Sequence, residues 1–260
     1  MDYKDDKVWL MQGDAVERMR EIPTGSVDLI FADIPYGMTA NDWDIIIPFL
    51  GMWEQIHRIT KIDAAICLMA ASPFDKLLGA SNIKELKYEW IWQKNKSSGH
   101  LNVNKRPMRN HENILIFYRK QPIYNSQKTK GHKMSNSANR SSIGSNYGKA
   151  GLTSYKTSTQ RHPLTILPIP VINNDGSGEE KIHPTQKPIQ LPEHFIKTYS
   201  NEGDTVCDFT MGRGGTVEAA VKLNRKVIGI DNGKCEKEGH KYFNMNWTDI
   251  VYRDLRERVL

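Results

Sequence analysis

The chain has 260 residues, of which 38% are apolar, and carries a net charge of +6 at neutral pH. That length suits one large α/β domain or a domain with an insertion, and the apolar share can fill a sizeable core. The longest apolar stretch, 62–71, runs for about ten residues and contains Asp63, well short of the roughly 20 needed to span a bilayer, and 1–7 lacks the apolar centre of a signal peptide, so no membrane partner and a cytoplasmic location are expected.

Residues 1–7 look like a shortened epitope tag, with a native segment as the alternative, and are left outside the expected fold. A short strand is predicted at 8–11. Asp14 followed by Glu17 then offers a capping box for a helix whose Val16, Met19 and Ile22 share one face and which Pro23 ends. A second strand follows at 27–32. Phe49, Met52, Trp53, Ile56 and Ile59 recur at helical spacing before a third strand at 64–69. Two β-rich runs, 88–93 and 113–118, flank a polar basic loop and are expected to pair as a long antiparallel hairpin. Residues 119–182 lose clear periodicity. That stretch is too long for an ordinary connection and is expected to be a functional insertion with some structure of its own. After Pro192 a helix carrying Leu191, Phe195, Ile196 and Tyr199 leads to a strand at 205–209, a glycine-rich turn, a helix and a last strand at 226–230. The alternation predicts an α/β architecture. Cys67, Cys207 and Cys235 are odd in number, widely spaced and without a CxxC pair, which argues for reduced thiols and against a zinc site.

The charge is unevenly distributed. Residues 94–161 hold 14 Lys and Arg against one acid, Glu112, a net of +13, so the remainder of the chain carries −7 within the total of +6. This segment also includes Tyr118, Tyr124, Tyr147 and Tyr155, a mixture of phosphate-seeking charge and stacking rings that suits a nucleic acid. Lys94, Lys96, Lys105, Arg106, Arg109, Lys128, Lys130, Lys133, Arg140 and Lys149 are the candidate nucleic-acid contacts.

Asp33-Ile34-Pro35-Tyr36-Gly37 follows the apolar run 27–32, at the end of a strand where open α/β sheets place their ligands. The Asp33 carboxylate and the Ile34 carbonyl, held before Pro35, can accept hydrogen bonds from an amine, and Tyr36 can stack on a planar base. A second cluster, 208–216, is a glycine-rich strand-to-helix turn, and Asp231 stands at the tip of the next strand, where an acid can hold the two hydroxyls of a ribose. The turn has neither GxGxxG nor the Walker lysine-hydroxyl pair, so it suits a nucleoside cofactor better than a dinucleotide or ATP. Between them, His183-Pro184-Thr185-Gln186-Lys187-Pro188 presents polar side chains from a backbone fixed by two prolines.

In this order, the three motifs resemble those of the DNA amino-methyltransferases in which the catalytic motif comes first and the cofactor motif last. The family patterns are D-P-P-Y-G, H-P-T-Q-K-P and D-P-F-x-G-S-G-T-T, and the likeness runs from about residue 8 to at least Asp231. It implies a Rossmann-like, mostly parallel seven-stranded methyltransferase sheet formed by 8–118 and 183–260, with 119–182 as a small basic target-recognition insertion and the 94–112 loop also facing DNA. The implied cofactor is S-adenosylmethionine. Asp231 would lie on its ribose, Asp14 near its adenine, and Asp208, Thr210, Gly212, Gly214 and Thr216 around its methionine part. His183, Thr185 and Lys187 would close over it, with Asp33 bordering it. The catalytic set would be Asp33, Ile34, Pro35 and Tyr36, acting on a base flipped from double-stranded DNA, with no metal. Asp33 at the motif head points, by family habit, to N6 of adenine over N4 of cytosine. A bacterial or phage origin, a restriction-modification setting and a homodimer are compatible with the resemblance. An RNA methyltransferase, and a DNA-binding protein whose cofactor site has decayed, share these residues. Ile34 replaces a proline of the family pattern, and Arg213 replaces a small serine. A long cation at 213 is expected to disturb the sulfonium or to reach towards a phosphate or the cofactor's carboxylate.

Overall fold

The computed structural model describes residues 2–38, 44–133, 159–172, 186–236 and 238–258. One compact unit comprises Met1–Asn125 and Thr165–Leu260. Its elements are β1 (Tyr3–Lys4), β2 (Val8–Gln12), α1 (Ala15–Met19), β3 (Val27–Ala32), α2 (Phe49–Ile59), β4 (Thr60–Ala70), α3 (Phe74–Ser81), β5 (Leu86–Ser98), β6 (Arg109–Phe117), β7 (Ile166–Pro168), α4 (Gln190–Tyr199), β8 (Thr205–Asp208), α5 (Gly215–Lys222), β9 (Lys226–Asp231) and α6 (Trp247–Arg258). The strands form one sheet in the order β1-β2-β9-β8-β3-β4-β6-β5-β7.

From β2 to β4 the pairs are parallel, whereas β6 runs antiparallel to both β4 and β5. The predicted hairpin is the β5–β6 pair. The sheet has nine strands among the described residues, rather than the expected seven. The additions are short edge ladders. Tyr3 and Lys4 of β1 lie opposite Leu10 and Trp9, so the segment left outside the expected fold takes part in it. Ile166 to Pro168 of β7, placed by the sequence within the insertion, pair with Ile91 to Gln93. Runs of two and three residues are too short to show a period.

The strands read as near-continuous apolar runs because helices cover both faces of the sheet. Successive residues of β4 alternate between two cores: Ala65, Cys67 and Met69 face one, while Ile66, Leu68 and Ala70 face the other. The first core is closed by Leu191, Phe195, Val217 and Leu255 from α4, α5 and α6. The second is closed by Met19, Met52, Ile56 and Leu78 from α1, α2 and α3. Each fully buried Leu, Ile or Phe contributes about 1.5–3 kcal/mol, so this double facing dominates the stability of the sheet.

The helix expected to reach Ile22 stops at Met19. Beyond it, Arg20, Glu21 and Ile22 donate to Glu17, Arg18 and Met19 in successive three-residue steps at 3.2, 3.1 and 3.0 Å, so a tighter turn carries Ile22 into the core. No helix of the described residues is long and apolar enough to cross a membrane. All three cysteines are free and buried.

Ser126–Leu164 is a second compact unit. Within it, Thr129 and Arg161 exchange backbone hydrogen bonds at 3.0 Å.

Candidate active site

β3 and β8 are parallel neighbours, with Leu29 opposite Val206 and Ile30 opposite Cys207. From β3 the chain proceeds towards β4 on one side, and from β8 towards β9 on the other. Their crossover helices α2 and α5 therefore cover opposite faces, and a crevice opens beyond the strand ends at this topological switch point. Asp33 and Asp208 stand on its two sides. A cavity of about 820 Å³ lies there, bordered by Asp14, Asp33, Tyr36, Lys187, Asp208 and Asp231 among others. The sequence motifs are thus brought together although they lie far apart along the chain.

Asp33 is held from two directions. Its Oδ1 accepts the Tyr36 hydroxyl at 2.8 Å, and its Oδ2 contacts the Lys187 ammonium. Lys187 also lies 3.8 Å from Glu112. Burial by itself would lower the Lys187 pKa, but the charges of Asp33 and Glu112 outweigh it and raise the value. Glu112 behaves in the opposite sense: burial would raise its pKa, and Lys187 and Lys94 bring it below the ordinary carboxylate range.

The Tyr36 ring stacks on Phe74 of α3, with centroids 5.4 Å apart and planes 26° apart. Burial and the neighbouring charges of Asp33, Glu112 and Asp44 raise its hydroxyl pKa well above the ordinary value. Asp44 was missed by sequence reasoning and organises this turn. One of its oxygens accepts the Tyr36 and Gly37 amides at 2.8 and 2.9 Å, and the other accepts the Met38 amide at 2.9 Å. The signal available was an acid shortly after a glycine-containing turn, a residue type that binds backbone amides locally.

On the opposite side, Asp208 is buried and accepts the Thr210 amide at 3.1 Å. Burial pushes its pKa up to about 7, only partly offset by hydrogen bonds from Thr216 and Thr210. Asp231 ties the glycine turn to the next loop: its Oδ2 accepts the Gly212 amide at 2.8 Å and its Oδ1 the Gly233 amide at 2.7 Å. Burial raises its pKa, and these two amides offset part of the rise. Each oxygen keeps further lone-pair capacity for a hydroxyl. Gly214 has φ +83°, and a Cβ there would come within 2.5 Å of Val251 of α6, so glycine is required on both backbone and packing grounds. Asp14 caps α1 by accepting the Val16 and Glu17 amides at 2.9 and 3.1 Å while lining the cavity.

The residues present fit S-adenosylmethionine. The Thr210 hydroxyl is buried without a hydrogen-bond partner among the described residues, and the buried Asp208 and half-buried Asp231 carboxyls face a cavity large enough for a nucleoside with a cationic amino-acid arm.

Arg213 departs from its expected role. Its guanidinium pairs with Asp254 of α6, and Asp254 also accepts the Tyr242 hydroxyl at 2.6 Å. A carboxylate as buried as Asp254 needs a counter-charge, and Arg213 supplies it. Lys94, expected on the DNA surface, turns inwards to Glu112 and lies over the Trp92 ring at 4.7 Å. Arg109 is half-buried and donates to the Ser72 carbonyl at 2.6 Å. Lys96 is exposed near the end of β5, Lys105 and Arg106 are exposed on the loop between β5 and β6, and Lys128, Lys130 and Lys133 are exposed in the second unit. His183, Thr185, Arg140 and Lys149 lie outside the described residues.

A family model described as DNA methylase, covering N6 and N4 methyltransferases, matches residues 27–241. The DNA adenine methyltransferase YhdJ of Escherichia coli (strain K12) is 29% identical over 250 residues, a match covering 85% of this chain and 77% of the relative. Among solved structures, the PvuII DNA methyltransferase (cytosine-N4-specific) superposes with a TM-score of 0.65 at 18% identity, covering 98% of this chain and 94% of that one. The M1.HpyAVI–SAM complex gives 0.61 at 18% identity, covering 95% and 98%. At such identities these two likenesses establish a shared fold.

Proposed function

The chain belongs to the N6/N4 DNA methylase family, whose members are S-adenosylmethionine-dependent DNA amino-methyltransferases, and from that premise we propose that it methylates N6 of adenine in double-stranded DNA after the base has been flipped from the helix. The observation that carries this reading is the placement of Asp33 and the glycine turn at 208–216 on adjacent parallel strands, so that amine acceptor and donor pocket face one crevice. The choice of adenine is supported by an aspartate at the head of the catalytic motif and by likeness to a relative named as a DNA adenine methyltransferase.

S-adenosylmethionine supplies an electrophilic methyl group on a sulfonium. Asp231 would hold the ribose, Asp14 would lie near the adenine, and Asp208, Thr210, Gly212, Gly214 and Thr216 would surround the methionine part. An aromatic amine is a weak nucleophile because its lone pair is delocalised into the ring. The Asp33 carboxylate and the Ile34 carbonyl accept its two hydrogens, which favours a pyramidal nitrogen with its lone pair directed at the methyl group. Tyr36, braced by Phe74 and anchored on Asp33, stacks on the base. Lys96, Lys105 and Arg106, and separately Lys128, Lys130 and Lys133, engage phosphates.

Liquid-chromatography mass spectrometry of DNA and, in parallel, RNA incubated with protein and cofactor tests the assignment. N6-methyladenine in DNA is expected; N4-methylcytosine without it, or modification of RNA alone, would refute it. Asp33→Ala should slow transfer by about 10²–10³-fold, the scale for removing one preorganised contact to a developing charge, while salt-dependent DNA binding persists.

A further inference from the structure

Both oxygens of Asp33 are engaged before any base arrives, one by the Tyr36 hydroxyl and the other by the Lys187 ammonium. The ammonium occupies the position of the donor that a target amine would bring. It also carries the wrong charge for the reaction, because the nitrogen becomes positive as the methyl group transfers, and a fixed cation at its acceptor would oppose that change. The cluster contains a second acceptor. Glu112 Oε2 is buried, has no hydrogen-bond partner among the described residues, and lies 3.8 Å from Lys187 Nζ. The other Glu112 oxygen is taken by Lys94.

We propose that Glu112 is a positioning residue that draws the Lys187 ammonium off Asp33 when the target amine enters, making Lys187 a placeholder for the substrate. The inference rests on the assignment of Asp33 as the amine's acceptor. A shift of about 1 Å brings Nζ from its present separation to the 2.7–2.9 Å of a charge-assisted hydrogen bond, well within the reach of a four-carbon stem. The move exchanges one carboxylate for another, so the cluster keeps its net charge and no further ion is desolvated. Lys94 remains on the far oxygen throughout and holds the Glu112 carboxylate in place.

A double-mutant cycle on the full chain, read by single-turnover methyl transfer to genomic DNA, tests the coupling. Glu112→Gln should slow transfer about tenfold or more when Lys187 is present, because the ammonium then stays on Asp33, but less than about twofold in the Lys187→Met background. Thermal melting and titration with S-adenosylmethionine establish that each variant is folded. Glu112→Asp withdraws the carboxylate by one methylene while keeping its charge, and it is expected to give an intermediate loss; it also serves if the Gln variant does not fold. Equal losses from Glu112→Gln in both backgrounds would overturn the proposal. So would a Lys187→Met protein that binds S-adenosylmethionine as tightly as its parent yet transfers no methyl group, since Lys187 would then be required at Asp33 rather than displaced from it. Absence of transfer by the unaltered protein would remove the reading of Asp33 itself, whereas transfer with equal losses would remove this inference alone.

Discussion

Asp208 provides a test in which pH is the perturbation. In the folded chain its pKa is about 7, against an ordinary value of 3.8, and burial is the principal cause. Below pH 3.8 the carboxyl is protonated in both folded and unfolded chains and affects the balance little. As pH rises from there towards 7, the unfolded chain ionises freely while the folded one retains its proton, so stability is lost over that window and levels off above it. The shift corresponds to about 4 kcal/mol at roughly 1.4 kcal/mol per unit. Asp208→Asn removes this dependence. In urea unfolding of the cofactor-free proteins, the stability difference between variant and parent should move in the variant's favour between pH 4 and 7, by up to about 4 kcal/mol. A pH-independent difference would refute the reasoning. The cofactor's positive charge favours ionised Asp208, so affinity measured by calorimetry should fall by up to about tenfold per unit below pH 7, and the Asn variant should lose that component.

Arg213→Ala should lower stability by about 3–5 kcal/mol by leaving Asp254 buried and uncompensated, and the joint change to Met and Leu at 213 and 254 should recover most of the loss in thermal melts; an Arg213→Ala protein as stable as its parent would contradict the pairing. Asp44→Ala removes a carboxylate that accepts three amides of the turn after Asp33, and it should reduce transfer about tenfold or more with cofactor binding unchanged by calorimetry. Gly214→Ala combines a left-handed backbone with a clash against Val251. It should cost about 2–5 kcal/mol, and adding Val251→Ala should relieve only the packing part.

The sequence was most legible where both faces of a strand are buried. The apolar runs around Phe31, Leu68 and Ile116 announce strands, and the polar or glycine residues that follow announce what the strand ends carry. Asp33 and Asp208 were found this way. What stayed hidden depends on partners distant along the chain. Nothing near Arg213 indicates that Asp254 will meet it, and nothing near Lys94 shows that Glu112 will turn it inwards. The proline-fixed segment reads as presenting donors towards a carboxylate, and Lys187 as a lid residue through the family resemblance; that its carboxylate partner is Asp33 only the folded chain reveals. α6 is a different case. Trp247, Ile250, Val251 and Leu255 recur at helical spacing, and a reading that continued past the last strand would have found them.

The ladder between β3 and β8 also has a consequence for the order in which competence appears. Asp33 leaves the ribosome long before Asp208 does, and the two motifs meet only when the strands that bear them zip together across a very long loop. Such a contact is slow to form, because chain entropy must be overcome before any hydrogen bond compensates. On the proposed reading, the nascent chain until then holds Asp33 and Tyr36 without the glycine turn that would carry the methyl donor. On that reading a partly synthesised or half-folded molecule would be chemically silent, and methyl transfer would begin only once β3 and β8 have paired.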